Sequence, residues 1–162
     1  MASIANSYLT LKIGEEVFGM NVAKVLEIRE YQPPKSLPQT FPFVLGVVEY
    51  RDEIIPLIDT AIKFGMAPII IQPGSCIVII QLISDSLGKT YRMAILVDSV
   101  ADVLECEDSQ MKGINDDYKP NYISTTYLDE DKLVFILNAD LVFNQKEIIS
   151  MLDMINKLKK ES

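Results

Sequence analysis

The chain has 162 residues, 49% of them hydrophobic and 23% charged, enough to bury roughly two-thirds of its unfolded surface as a globular domain. Its net charge of −8, with lysine and arginine scattered, offers no positive stripe to displace counterions from a phosphate backbone, so nucleic-acid binding is excluded. It contains no histidine and no glycine-rich nucleotide cradle, which removes Ser-His-Asp and Cys-His catalysis and His-bearing zinc sites.

Residues 8–14 (YLTLKIG) alternate polar and apolar side chains as a half-buried strand does. Gly14–Glu16 turn the chain into 17–22 (VFGMNV), predicting a hairpin over 8–22. Residues 25–31 (VLEIREY) alternate again and put Val25, Glu27, Arg29 and Tyr31 on one face. Four prolines within 33–42 predict a loop outside any ladder. Residues 44–59 read as two strands about a tight turn at 51–53, and 60–64 as a turn or short helix that Gly65 ends. A second hairpin follows (76–84 and 91–98), then a strand at 100–108 and a polar loop through Pro120. A third hairpin spans 122–138. Cys76 and Cys106 read as small buried apolar side chains, without a disulfide. From Asn144 the period changes: Ile148, Met151, Leu152, Ile155 and Leu158 recur three and four residues apart. That predicts an amphipathic helix within 144–162, its stripe docked on its own domain.

Residues 22–27 (VAKVLE) return at 100–105 (VADVLE), 78 positions on, with Lys24 replaced by Asp102. Later pairs, Asp59 with Asn138, Ile62 with Leu141 and Phe64 with Phe143, keep an offset of 79. Two matched segments in the same order imply an internal duplication, with approximate halves 7–74 and 75–143. A unit of about 65 residues owns too small a core to stand alone. The expected fold is therefore all-β: two packed five-stranded β-barrels, with room for strands to be exchanged between them, followed by the C-terminal helix.

Taken together, these segments resemble the CheW family of chemotaxis coupling proteins. Residues 46–59 (GVVEYRDEIIPLID) are similar to the family pattern Gly-Val-x-Asn-Leu-Arg-Gly-x-x-x-Pro-x-x-Asp. Residues 9–31 resemble its first hairpin and following strand, 96–104 (LVDSVADVL) its Val-Asp-x-Val-x-x-Val-Leu, and 135–143 (FILNADLVF) its last strand. The resemblance covers about residues 7–155 as a single domain. It implies a non-enzymatic cytoplasmic scaffold without cofactor or metal, joining the regulatory domain of a CheA-type histidine kinase to the cytoplasmic tips of methyl-accepting chemotaxis receptors.

Carried onto this chain, the resemblance makes Glu27 and Arg51 a charged pair, expected to form a bidentate bridge. It makes Val25, Gly46, Val100 and Val103 positions of the receptor groove, where a helical hairpin would bury its apolar stripe. Glu49, Tyr50 and Asp52 depart from the family's Asn-Leu-Arg-Gly. That leaves room for an adaptor of a gliding or pilus motility array. A small-ligand-binding barrel with Arg51 as anion anchor is the rival from another class, and an enzyme would need Asp59 and Asp98 in one cleft. No stretch approaches the roughly 20 apolar residues of a membrane span, and no N-terminal signal pattern is present.

Overall fold

The computed structural model describes residues 6–38, 40–107, 111–112, 120–129 and 131–161. The predicted hairpins form. β1 (Asn6–Ile13) pairs with β2 (Glu16–Asn21), β4 (Val44–Tyr50) with β5 (Glu53–Asp59), β6 (Cys76–Ser84) with β7 (Lys89–Val97), and β10 (Ile123–Asp129) with β11 (Lys132–Leu137). Between them run β3 (Val25–Glu30), β8 (Ser99–Cys106) and the two-residue β9 (Met111–Lys112), which lies within the segment read as a loop. Other parts of that loop, 108–110 and 113–119, lie outside the described residues. The β4–β5 connection is a two-residue turn in which Arg51 (φ 47°) and Asp52 (φ 64°) are both left-handed, as a hairpin turn matched to strand twist requires.

The strands assemble into two sheets, ordered β8-β1-β2-β11-β10-β9 and β3-β6-β7-β5-β4. Under the duplication these orders are the same apart from the additional β9. Each sheet takes the opening hairpin of one half and the later strands of the other, and each is joined by one parallel pair, β11 with β2 and β5 with β7. Both repeats also carry a bulge at the same place, between Val44 and Gly46 in β4 and between Ile123 and Thr125 in β10.

The expected closed barrels are not formed. β3 and β4 stand at opposite edges of their sheet with no ladder between them, so the sheets are open and packed on each other. The largest core cluster lies between them and includes Leu11, Ile13, Met20, Ile80, Met93 and Ile95. Each sheet also wraps a cluster on its other face: Tyr50, Ile55, Leu57, Ile77, Ile79, Ala94 and Leu96 on one, and Tyr8, Cys106, Tyr127, Val134 and Ile136 on the other. Both faces of the central strands are thus buried, which accounts for near-continuous apolar runs such as 76–80. Cys76 and Cys106 are not in disulfides, Cys106 buried and Cys76 half-buried.

The C-terminal helix α2 (Gln145–Glu161) docks Ile148, Met151 and Ile155 on this core. Asn144 caps it reciprocally: the Asn144 side chain accepts from the Glu147 N–H at 2.8 Å, and Glu147 accepts from the Asn144 N–H at 2.9 Å. The short helix α1 (Thr60–Lys63) follows β5 and ends before Gly65, at φ 80°.

Candidate functional site: the edge strands β3 and β8

Residues facing each other across an antiparallel ladder point to the same side, which places the β3 side chains. Glu27 lies opposite Ile79 and Arg29 opposite Ile77, so both point to the sheet's own wrapped cluster. The register shifts between Val25 and Glu27, and Val25 lies opposite Ile80, a member of the inter-sheet core. This bulge overturns the single alternating face expected for Val25, Glu27, Arg29 and Tyr31. On β8, Val103 lies opposite Leu9 and Val100 opposite Leu11, again core residues. Val25, Val100 and Val103 thus all sit on edge strands, on faces turned toward the space between the sheets. Val25 and Val100 are half-buried against the core, whereas Val103 is 55% exposed. Val22, Leu26 and Ile28 add exposed apolar surface on and beside β3. The 3-10 turn Val22–Lys24 that leads into β3 touches β1, the strand next to β8.

Gly46 is buried against the Lys35 backbone. A Cβ there would stand 2.2 Å from the Lys35 carbonyl oxygen, and the residue's φ is +152°. The proline-rich loop folds back at this point: Lys35 N–H donates to the Val47 carbonyl at 3.0 Å and Val47 N–H to the Lys35 carbonyl at 2.8 Å. The glycine exists for that close approach.

The expected Glu27–Arg51 bridge is not formed among the described residues. Glu27 is held instead by Arg29, which donates through Nε at 2.7 Å and through Nη2. Arg29 Nη1 also donates to the Glu49 carbonyl at 2.9 Å, so one guanidinium ties edge strand β3 to edge strand β4 where no ladder does. Arg51 sits at the turn tip with its guanidinium 5.4 Å from the centroid of the Tyr50 ring, and Arg29 lies 5.9 Å from the same ring. Arg51 belongs to the positive-φ turn, and its guanidinium lies by Tyr50 while Arg29 takes the Glu27 carboxylate. Alternation along β3 was the available signal for Arg29, since strand residues two apart share a face.

The two carboxylates that an enzyme would need are engaged by backbone amides. Asp59 accepts from Ile62 N–H at 3.1 Å and Ile69 N–H at 3.0 Å, and Asp98 from Gly14 N–H at 2.6 Å. Among the described residues no cluster of His, Cys, Asp or Glu could hold a metal, and no helix is long and apolar enough to cross a membrane. Sequence reasoning passed over a second ion pair, Lys24 with Asp140, at 2.7 Å.

Open curved sheets related by duplication, with apolar edge strands, define a binding scaffold. The CheW-like domain family model matches residues 7–147, and the chain belongs to that family. The chain is similar to the chemotaxis protein CheW of Rhizobium meliloti, 25% identical over 142 residues that span 86% of this chain and 88% of that one. It is 29% identical over 139 residues to the chemotaxis protein CheV3 of Helicobacter pylori, spanning 83% of this chain and 43% of that longer protein. The crystal structure of the scaffolding protein TtCheW from Thermoanaerobacter tengcongensis superposes with a TM-score of 0.75 at 20% identity, over 89% of this chain and 96% of that one, and so shares its fold. The chain is a chemotaxis adaptor of the coupling class.

Proposed function

We propose that this adaptor is a non-enzymatic scaffold linking the cytoplasmic tips of methyl-accepting chemotaxis receptors to the regulatory domain of a CheA-type histidine kinase. The observation that carries the reading is the placement of Val25 and Val103. They are equivalent positions of the repeat, they sit on the edge strands of different sheets, and both face the space between the sheets. With Val22 and Leu26 they offer the kind of apolar strip that an amphipathic helical tip covers. The engagement of Asp59 and Asp98 by backbone amides supports a role without catalysis. The ligand-barrel alternative is less favoured, because its anion anchor, Arg51, is exposed at the tip of the β4–β5 turn and does not line the enclosed apolar void between Ile13, Met20, Phe64 and Phe143.

The test is a calorimetric titration into the regulatory domain of a CheA from the same genome, and separately into a receptor-tip fragment, with Val103→Glu and Arg51→Ala variants alongside. Micromolar binding to both partners is expected, with Val103→Glu weakening receptor binding while the fold is kept. A kinase domain that binds the wild type and Arg51→Ala equally reduces Arg51 to a local detail of the turn. No binding to either partner by folded protein refutes the reading and points to another motility array, with Glu49, Tyr50 and Asp52 the residues to compare first.

A further inference from the structure

The repeat frame VAxVLE differs at one position, Lys24 against Asp102. The difference is matched elsewhere in the repeat. Lys24 Nζ donates to both carboxylate oxygens of Asp140, at 2.8 and 2.7 Å, and the repeat equivalent of Asp140, at the offset of 79, is Ala61. Ala61 is fully buried and Asp102 is exposed, so among the described residues the second copy of the frame has no such ion pair; there the Thr10 hydroxyl donates to the Asp102 carbonyl at 2.6 Å.

The pair joins distant parts of the chain. Lys24 lies in the 3-10 turn that feeds edge strand β3, and Asp140 in the 3-10 turn Ala139–Leu141 between β11 and α2. Asp140 Oδ1 also accepts from the Ile83 N–H of β6 at 2.8 Å. One carboxylate therefore ties the entry of β3, the far end of its neighbour β6 and the turn after β11 to one point. Its side chains are only 24% and 28% exposed, so water screens the pair less than an open surface ion pair. Val25 begins β3 immediately after Lys24, at the bulge that turns it toward the inter-sheet space.

We propose that Lys24 and Asp140 form a positioning clasp that fixes the β3 wall of the receptor-binding strip, whereas the β8 wall around Val103 is tied to β1 by its ladder and by the Thr10 hydroxyl. This rests on the receptor reading of the two edge strands. A clasp at the entry of β3 holds Val25 and Leu26 in place before a helical tip arrives. That lowers the ordering cost of binding at this strand.

The experiment compares wild type, Lys24→Met, Lys24→Arg, Asp140→Asn and the Lys24→Met/Asp140→Asn double variant. It reads receptor-tip affinity, kinase-domain affinity and backbone amide exchange. Asp140→Asn keeps an oxygen for the Ile83 N–H but loses the charge and one of the two oxygens that accept from Lys24. Expected are roughly tenfold weaker receptor binding in Lys24→Met and in Asp140→Asn, with the double variant no worse than either single one. Lys24→Arg should restore binding, and the amides of Val25 and Leu26 should exchange faster in the weakened variants while kinase binding holds. Weakening by Lys24→Met alone, with Asp140→Asn at wild-type affinity, would show that Lys24 touches the receptor directly and would overturn the clasp. Wild-type affinity in both single variants would overturn it as well. A wild type that binds no receptor fragment would refute the receptor reading itself, a separate and recognisable failure.

Discussion

Glu27 is held by Arg29, two residues along the same strand, and the guanidinium that holds it also reaches the Glu49 carbonyl on β4. The side chains are 29% and 41% exposed, so the pair alone is worth a modest amount; the larger effect is the strand-edge tie that Arg29 makes. A double-mutant cycle by urea unfolding should give a Glu27–Arg29 coupling of about 0.5–1 kcal/mol. The Glu27–Arg51 cycle should give none. Arg29→Ala should cost about 1–2 kcal/mol, because the Glu49 carbonyl loses this donor and the Tyr50 ring one of its two neighbouring cations as well. A sizeable Glu27–Arg51 coupling would mean that the turn rearranges in solution.

Gly46 admits no side chain. A β-carbon would meet the Lys35 backbone at 2.2 Å, far inside van der Waals contact, and backbone cannot swing away as a flexible side chain can. Gly46→Ala is expected to destabilise by roughly 3 kcal/mol or more, by strain and by displacement of the proline-rich loop. The check is the urea midpoint together with amide exchange at Lys35 and Val47. A variant of wild-type stability would show that the loop does not close over β4. Any loss of partner binding in Gly46→Ala should scale with this unfolding, since the residue itself is buried.

The strands, the hairpin turns, the duplication and the docked helix were legible because each rests on local periodicity or on turn chemistry. Tyr8 to Ile13 alternate, Gly14 and Gly88 supply left-handed turn residues, and Ile148, Met151 and Ile155 share a helical face. What the sequence did not reveal depends on distant segments. Whether β3 and β4 meet in a ladder is decided by sheet curvature, and their link turns out to be one arginine side chain. The bulge beside Leu26 has no marker such as glycine, so the face of Val25 was legible only relative to Ile80. Gly46 was noticed as a glycine, but the backbone it accommodates lies on a loop whose path nothing local specifies.

The duplicated pair Asp59 and Asn138 has diverged in role. Asp59 is 2% exposed and holds two backbone amides, one at the start of α1 and one at Ile69 in the connection between the halves. Asn138 precedes the equivalent 3-10 turn, is exposed, and makes no side-chain cap bond there. Asp59→Ala should therefore cost about 2 kcal/mol or more through two unpaired amides, while Asn138→Ala should stay within about 0.5 kcal/mol of wild type. Thermal and urea unfolding of both variants test this directly. Equal losses at the two sites would mean that the repeat symmetry still governs the caps.

Tyr91, on β7, is 5% exposed, and its hydroxyl is buried without a hydrogen-bond partner among the described residues. Burial first, and then the carboxylates of Asp140 and Glu147, hold its phenol well above the ordinary tyrosine value of 10.0. Burial raises Tyr122 in the same direction. A raised folded-state pKa fixes the sign: the contribution of the neutral phenol is complete below the unfolded value and declines above it, because the unfolded chain releases its proton first. Stability should thus be indifferent to these two groups at neutral pH and fall as the pH climbs beyond about 10. Tyr91→Phe should flatten that alkaline decline. At pH 7 it should leave stability unchanged or raise it by up to about 1 kcal/mol, since it deletes a buried hydroxyl that nothing satisfies. Urea midpoints measured from pH 7 to 11 on both proteins decide the matter. A loss of more than about 1 kcal/mol at pH 7 would show that the hydroxyl is bonded in solution. An alkaline limb that keeps its full slope in Tyr91→Phe would assign it to Tyr122.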